Sequence, residues 1–262
     1  MSIKILLACG LLIASTRSAT AMKTLPTSRS NHIKKETAFL TKNPQQLAQS
    51  ILKNDHECKA LLNLKATAYS EDERITFLAK LLRNDLEQKG KRLEEIVDGD
   101  GNNVLHALLM QEILPGQEES AVKIVLRAAG DCESIEAASK QNNVQALLTK
   151  QDSHGNTALH KAIWSLFNEC HIIKVLLALP CSKNVLFMQN EDGLTILHTA
   201  VIKNSYQIVW SILQALEDDT DRKKLATLTS MHGFTALDLA QVHDEKNKNS
   251  RAIVSLLKKY QE

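Results

Sequence analysis

The sequence predicts an all-α solenoid, in which short helix–turn–helix units stack side by side behind a small N-terminal helical cap. A turn glycine recurs four times, each time followed by apolar residues at helical spacing and then by a second apolar helix. The 262-residue chain also has only four prolines and 4% aromatic residues, a composition that suits helices better than sheets. The turn glycines are Gly101, Gly155, Gly193 and Gly233.

The segment 190–213 shows the unit most completely. Gly193 lies in a turn, and Thr195 is placed to cap the next helix through its hydroxyl group. Apolar residues at helical spacing follow, then a polar break at 203–205, then a second apolar helix. Turn, helix, turn and helix together fill about the length of one repeat unit.

The sequence of these units resembles that of the ankyrin-repeat family, whose signature is D-x-x-G-x-T-P-L-H-x-A-A. The first unit diverges most, with Asn103 where threonine is expected, and the last unit has Asp238 where the others have histidine. The resemblance covers roughly 98–262 and implies an ankyrin-repeat solenoid. The matching structural positions are Gly101, His106, Gly155, Thr157, His160, Gly193, Thr195, His198, Gly233 and Thr235.

The spacing of the turn glycines is longer than the usual period of such repeats. They lie 54, 38 and 40 residues apart, against a usual period of about 33. The first gap predicts a degenerate extra unit, and the other two predict lengthened helices or loops, which tend to collect on one face of a solenoid. The predicted units are 98–130, a degenerate 131–150, 151–187, 188–227 and 228–262.

The first 21 residues have the features of a secretory signal peptide. Lys4 precedes an apolar run at 5–13, and Ala-Thr-Ala at 19–21 is a typical cleavage site. An uncleaved anchor or a chance apolar start is the alternative. No later stretch approaches the roughly 20 apolar residues that a transmembrane helix needs. We expect an exported protein, periplasmic or secreted, whose mature chain starts with a mobile arm at 22–35.

The segment 36–97 is predicted to form an N-terminal helical cap, because leucines and isoleucines recur there at helical spacing. The end of a solenoid exposes an apolar face that has to be covered. The alternative is a separate domain with enzyme or toxin activity, for which the repeats act as a targeting module. A cap should be unstable without the repeats, whereas a separate domain should fold when 36–97 is made alone.

Three histidines, His106, His160 and His198, recur at one position of the unit and invite a metal-site hypothesis. Neighbouring helices lie about 10 Å apart, whereas metal ligands lie about 2 Å from one ion. The resemblance implies that each histidine instead bonds backbone between adjacent repeats. We therefore expect no metal and no other cofactor.

No catalytic group is expected either, because the chain contains no phosphate-binding loop, nucleophile elbow or H-E-x-x-H motif. An oxidising compartment permits disulfides, but no C-x-x-C occurs, and unpaired, partly buried thiols are the default expectation. The cysteines that remain after cleavage at residue 21 are Cys58, Cys132, Cys170 and Cys181.

Charge argues against nucleic acid as a partner. The whole chain has 32 bases and 30 acids, and loss of Lys4 and Arg17 with the signal peptide leaves the two counts equal. No basic block interleaved with aromatic residues appears, and nucleic-acid binding depends on neutralising phosphates. We expect a monomer that binds protein.

Two columns of residues carry the binding prediction. Seven residues after the threonine position stand Met110, Trp164, Ile202 and Val242, and one residue after each turn glycine stand Asn102, Asn156, Leu194 and Phe234. The resemblance implies that both columns face the concave groove or the hairpin tips, where partners are held. The predicted partner-binding residues are Met110, Asn156, Trp164, Leu194, Ile202 and Phe234.

The function that follows is a non-catalytic, exported protein-interaction module. An exposed apolar stripe containing tryptophan is typical of such sites. The alternative for this face is that insertions or the N-terminal helices fold over it and bury it. A purely structural spacer would have no exposed apolar groove.

Overall fold

A computed structural model describes most of the chain beyond residue 42, and the part it describes is helical. The described residues are 43–64, 71–110, 117–130, 137, 140–165, 170–179, 182–242 and 247–260. They contain thirteen α-helices and no β-strand, which confirms the predicted all-α solenoid. The predicted signal peptide, 1–21, and arm, 22–35, lie outside the described residues.

The helices are numbered here in chain order. The first two precede the repeats and are α1 (Pro44–Leu64) and α2 (Glu71–Gln88), followed by a short 3-10 helix (Leu93–Glu95). The others are α3 (Val104–Leu109), α4 (Gln117–Gly130), α5 (Asn142–Thr149), α6 (Ala158–Trp164), α7 (Cys170–Leu177), α8 (Ser182–Leu186), α9 (Ile196–Ile202), α10 (Tyr206–Gln214), α11 (Asp219–Thr227), α12 (Ala236–Val242) and α13 (Lys248–Lys258).

The repeats form four units, numbered 1 to 4 in the order of their turn glycines. Helices α3, α6, α9 and α12 pack on one another in sequence and make an inner row. Helices α4, α7, α10 and α13 make an outer row in the same way, and each packs on the inner helix of its own unit. Each unit therefore adds one inner and one outer helix to the stack.

The inner helices are short and almost wholly buried. All six residues of α3 are buried, as are the first six of α9. Each inner helix touches an outer helix and the inner helices of its neighbours, so little of its surface is left for solvent. This is why the motif has apolar residues on nearly every side rather than a single stripe.

A third row of helices accounts for the long spacing of the units. Helices α5, α8 and α11 each follow an outer helix and precede the next turn, and α8 packs on α5. Lys183 of α8 and Asp221 of α11 form an ion pair at 2.5 Å between Nζ and Oδ2. In the predicted degenerate unit, 131–150, the described residues contain α5 and the single helical residue 137. The added length that the glycine spacing reveals is thus an added helix.

The two N-terminal helices pack on unit 1. Helix α1 packs against α3 and α4, and α2 packs against α4. The buried guanidinium group of Arg127 in α4 donates to Thr76 Oγ1 (2.7 Å) and to the Asp72 carboxylate in α2. Ser120 Oγ donates to Glu71 Oε1 at 2.9 Å. These contacts cover the outward side of the first unit.

Candidate partner-binding surface

Each unit begins with a tight turn, which we name its tip, and the first side chain of the tip closes it. In unit 2, Asp152 Oδ1 accepts hydrogen bonds from the backbone N–H groups of His154 (2.9 Å) and Asn156 (2.8 Å). Asn190 has the same role in unit 3, and Ser230 Oγ accepts one such bond in unit 4. Short polar side chains that accept from their own backbone stabilise turns of this kind.

The tips stack into a ladder. In each tip the N–H of the second residue donates to a carbonyl group of the preceding tip. The three bonds run from Ser153 to Asp100 (2.6 Å), from Glu191 to His154 (3.0 Å) and from Met231 to Asp192 (2.9 Å). These backbone hydrogen bonds hold neighbouring tips at a fixed spacing.

Glycine is required in these tips for two reasons. Gly155 and Gly193 have φ angles of +72° and +71°, a region that side chains disfavour. A Cβ atom on Gly155 would lie 2.8 Å from the backbone nitrogen of Glu191, and one on Gly193 would lie 2.4 Å from that of Met231. The next tip packs directly against the glycine, so conformation and packing both exclude a side chain.

The motif histidines connect each helix start to the next unit. In unit 2, Nδ1 of His160 accepts from the backbone N–H of Thr157 (3.2 Å) and lies 2.9 Å from its hydroxyl group. Its Nε2 lies 3.0 Å from the carbonyl oxygen of Leu194, which can only accept. These partners require a neutral ring with its proton on Nε2.

His198 repeats this arrangement in unit 3, with Nε2 3.2 Å from the carbonyl oxygen of Phe234. His106 of unit 1 likewise has Nε2 3.0 Å from the carbonyl oxygen of Asn156. Burial lowers the pKa of all three histidines, and lowers that of His160 to about 4. The three positions are thus neutral links between units.

Unit 4 departs from the pattern where the stack ends among the described residues. Asp238 replaces the histidine, and its Oδ2 accepts from the N–H (2.8 Å) and hydroxyl (2.7 Å) groups of Thr235. A histidine here would have no following tip to bond among the residues described. Consistently, a Cβ atom built on Gly233 meets no atom within 4 Å.

The first predicted column lies on the exposed side of the inner row. Met110 is 53% exposed, Trp164 42% and Val242 81%, while Ile202 is half-buried. The four side chains belong to successive units, so they form an apolar stripe that crosses the stack, and we name it the inner-row surface. The described N-terminal helices leave these positions open.

The second column is less uniform than the sequence suggests. Phe234 is 47% exposed, but Leu194 is half-buried. Asn156 Oδ1 accepts from Asn190 Nδ2 at 3.0 Å, and Asn102 Nδ2 donates to the carboxylate of Asp98. Two members of this column are therefore already engaged in contacts that hold the tips.

Two lysines lie beside the inner-row surface. Lys161 Nζ is 2.8 Å from Asp152 Oδ2. Burial alone would raise the pKa of Asp152, but hydrogen bonds from Lys161 and from backbone N–H groups outweigh it and lower that pKa. Lys203 Nζ lies 5.2 Å from the centre of the Trp164 ring, a cation–π contact, and no described carboxylate pairs with it. The surface thus combines apolar groups with one uncompensated positive charge.

Sequence reasoning missed a side-chain ladder behind the tips. Gln151 Nε2 donates to the carbonyl oxygens of Gly155 (2.6 Å) and Gln189 (2.9 Å). Gln189 Nε2 donates in the same way to Gly193 (2.6 Å) and Thr229 (2.8 Å). Both glutamines stand four residues before a turn glycine, so the repeat spacing contained the signal.

Neither a cluster of metal-binding side chains nor a membrane-spanning helix occurs among the described residues. In this part of the chain, no three His, Cys, Asp or Glu side chains come close enough to hold a metal ion. Nor does any helix in it combine the length and apolar character that crossing a membrane requires. The predicted free thiols remain a prediction, because the cysteine side chains lie outside the described part: Cys58, Cys132, Cys170 and Cys181.

A scan against protein families and a search of curated proteins found no match to this chain. Among solved structures, it is similar to one described as the crystal structure of EF0377, an ankyrin repeat protein. The two chains share 20% sequence identity with a TM-score of 0.47, over 74% of this chain and 83% of the other. This similarity gives no information on partners or activity.

Proposed function

We propose that this chain is a non-catalytic protein-interaction module that holds a polypeptide partner against the inner-row surface and the neighbouring tips. The observation that carries the proposal is the apolar stripe formed by the exposed side chains of Met110, Trp164 and Val242 in units 1, 2 and 4, together with the half-buried Ile202 of unit 3. Monomeric proteins rarely expose large contiguous apolar patches unless they bind something there. Tryptophan at the middle of such a patch is the residue type most often found among binding hot spots.

The geometry of the stripe favours an elongated partner. Inner helices of adjacent units lie about 10 Å apart, a distance that an extended chain covers in about three residues at ~3.3 Å each. A partner segment with apolar residues at every third position would therefore contact one unit after another. Lys203, beside Trp164, adds a preference for an acidic residue near the middle of that segment.

Export completes the proposal and is supported by the first 21 residues, whose features are those of a cleaved signal peptide. The partner would then be met in a periplasm, at a surface or outside the cell. A monomeric, cofactor-free protein is part of the same proposal. Its test does not depend on where the partner resides.

The test is a pull-down with purified residues 22–262 from lysates of the source and of candidate host cells, comparing the wild type with Trp164→Ser/Phe234→Ser. The double variant should lose the retained polypeptide. Its helicity should be unchanged and its free energy of unfolding within about 1 kcal/mol, because both side chains are partly exposed. Trp210→Ser is the matched control, since Trp210 of α10 in the outer row is 45% exposed.

If the double variant unfolds, these side chains belong to the core and the proposal is wrong. The proposal also fails if Trp210→Ser removes the polypeptide as completely as the double variant does.

A further inference from the structure

The outer end of unit 4 has a groove that the rest of the stack leaves unfilled. In unit 3, the side of α9 and α10 facing away from unit 2 is covered by α12 and α13. The equivalent side of α12 and α13 meets no further helix among the described residues. A groove of about 730 Å³ lies there between the two helices, with Ala240 and Val254 among its lining residues.

Basic groups line the groove, and no described carboxylate forms an ion pair with them. Arg251 and Lys258 of α13 both line it. They are seven residues apart, which is about two turns, so they lie on the same face of the helix. From residue 247 to residue 260 the chain has four bases, Lys248, Arg251, Lys258 and Lys259, and no acid. All four are exposed, and none forms an ion pair in the described part of the chain.

Two bases of the third row of helices, by contrast, have bonding partners. Lys183 pairs with Asp221 at 2.5 Å, and Arg222 bonds Asp219 as well as the carbonyl oxygens of Leu213 and Leu216. The terminal unit of a solenoid needs a polar outer face for solubility, but mixed charges would provide that. Two bases in the lining of the groove, with Lys248 and Lys259 exposed nearby in the sequence, instead create a local positive potential, which favours anionic partners.

We infer that the groove between α12 and α13 is a second docking site, which takes an acidic, helical segment of a polypeptide partner. The shape of the groove suits a helix, because the equivalent side of unit 3 is covered by the helices α12 and α13. The small side chain of Ala240 lets a helix approach closely, and Val254 offers it an apolar contact. The carboxylates of the incoming helix would face Arg251 and Lys258, while Gln241 and Ser255 line the groove with hydrogen-bonding groups.

This site is separate from the inner-row surface, so it does not depend on the proposed function. A suitable probe is a fluorescein-labelled helical peptide with alanine and leucine on one face, flanked by glutamates. A second peptide, with glutamine for every glutamate, controls for apolar binding alone. Fluorescence anisotropy with the purified chain at low and at moderate salt measures both affinities, because salt screens contacts between exposed charges.

The Glu peptide should bind more tightly than the Gln peptide and weaken as salt rises. Arg251→Glu/Lys258→Glu should weaken it by about tenfold or more, and the milder Arg251→Gln/Lys258→Gln should weaken it less. Lys140→Glu/Lys223→Glu, an equal charge change on two exposed lysines elsewhere, should leave the affinity within about twofold. Trp164→Ser should leave it unchanged.

The inference is overturned if the Glu and Gln peptides bind equally. It is also overturned if Arg251→Glu/Lys258→Glu and the control Lys140→Glu/Lys223→Glu weaken binding of the Glu peptide alike. Loss of the peptide in Trp164→Ser would also overturn it, because the acidic segment would then lie on the inner-row surface. If Arg251→Glu/Lys258→Glu does not fold, the folded glutamine variant decides, and unchanged affinity there contradicts the site.

Discussion

At the residue scale, Gly193 shows how one position serves both conformation and packing. Its backbone is left-handed, and the tip of the next unit packs against the place where a side chain would be. Gly233 has the same kind of backbone, with φ at +78°, but no atom lies within 4 Å of a Cβ built on it. The two glycines therefore separate conformational strain from the packing of one unit on the next.

We expect Gly233→Ala to lower the free energy of unfolding by about 1–2 kcal/mol, the cost of a left-handed side chain. Gly193→Ala should cost about 1–3 kcal/mol more, because the methyl group would lie 2.4 Å from the backbone nitrogen of Met231. Urea denaturation of the two variants measures the difference. Equal losses would mean that the tips move apart freely, which the backbone ladder does not allow.

The histidine links make stability depend on pH. Burial lowers the pKa of His160 to about 4, whereas an unfolded histidine titrates near about 6.5. Between these values the unfolded chain binds the proton and the folded chain does not, so stability falls as the pH falls from about 6.5 towards about 4. The folded state is favoured above this window.

By pH 5, His160 should account for a loss of about 2 kcal/mol relative to pH 7.5. The variant His160→Gln is expected to be less stable at pH 7.5 and to lose less stability on acidification than the wild type does. Urea midpoints at both pH values, for both proteins, give the comparison. If acidification costs the two proteins the same free energy, His160 is not a buried neutral link.

At the element scale, the inner helices were predictable, whereas α8 and α11 of the third row were not. The inner helices follow a glycine, a capping residue and a nearly continuous apolar run, so the sequence marks both their starts and their burial. Helix α11, by contrast, has only Leu225 and Ala226 buried among nine residues, so no periodicity marks it. Helix α8 has five residues, too few for a period to appear.

The candidate site could be predicted in part for a related reason. Counting seven residues on from the threonine position of each unit finds Met110 and Trp164, because the inner helices keep one register through all four units. It finds Asn156 as well, although the side chain of Asn156 is bonded to Asn190. A hydrogen bond between side chains of different units cannot be derived from the spacing within one unit.

The N-terminal helices give a prediction about folding units. Because α1 packs against α3 and α4, the fragment 36–97 should be largely unfolded alone, with an apolar face that has no partner. The longer fragment 36–130, which adds α3 and α4, should gain more helicity than its added length supplies. Far-UV circular dichroism and thermal melts measure both fragments. A cooperative melt of 36–97 would favour an independent domain, and with it the enzyme or toxin alternative.

At the scale of the whole molecule, the contacts that join the units and the surfaces proposed to bind partners lie on different parts of the stack. Tips, histidines and glutamines join one unit to the next, and the inner-row side chains take no part in those hydrogen bonds. The described end of the stack has the basic groove between α12 and α13, and the other end is covered by α1 and α2. Both proposed surfaces include residues of unit 4, Val242 on the inner-row surface and Ala240 and Val254 in the groove.

The central claim is that the inner-row surface is where a polypeptide is held, and the two tryptophans allow a direct test. Trp164 lies on that surface and Trp210 on α10 of the outer row. Trp210→Phe leaves Trp164 as the only fluorescent tryptophan, and Trp164→Phe leaves Trp210. Each variant is titrated with the polypeptide that the pull-down retains. The account predicts a blue shift of the emission in Trp210→Phe and none in Trp164→Phe. A shift confined to Trp164→Phe, or equal in both, would contradict it.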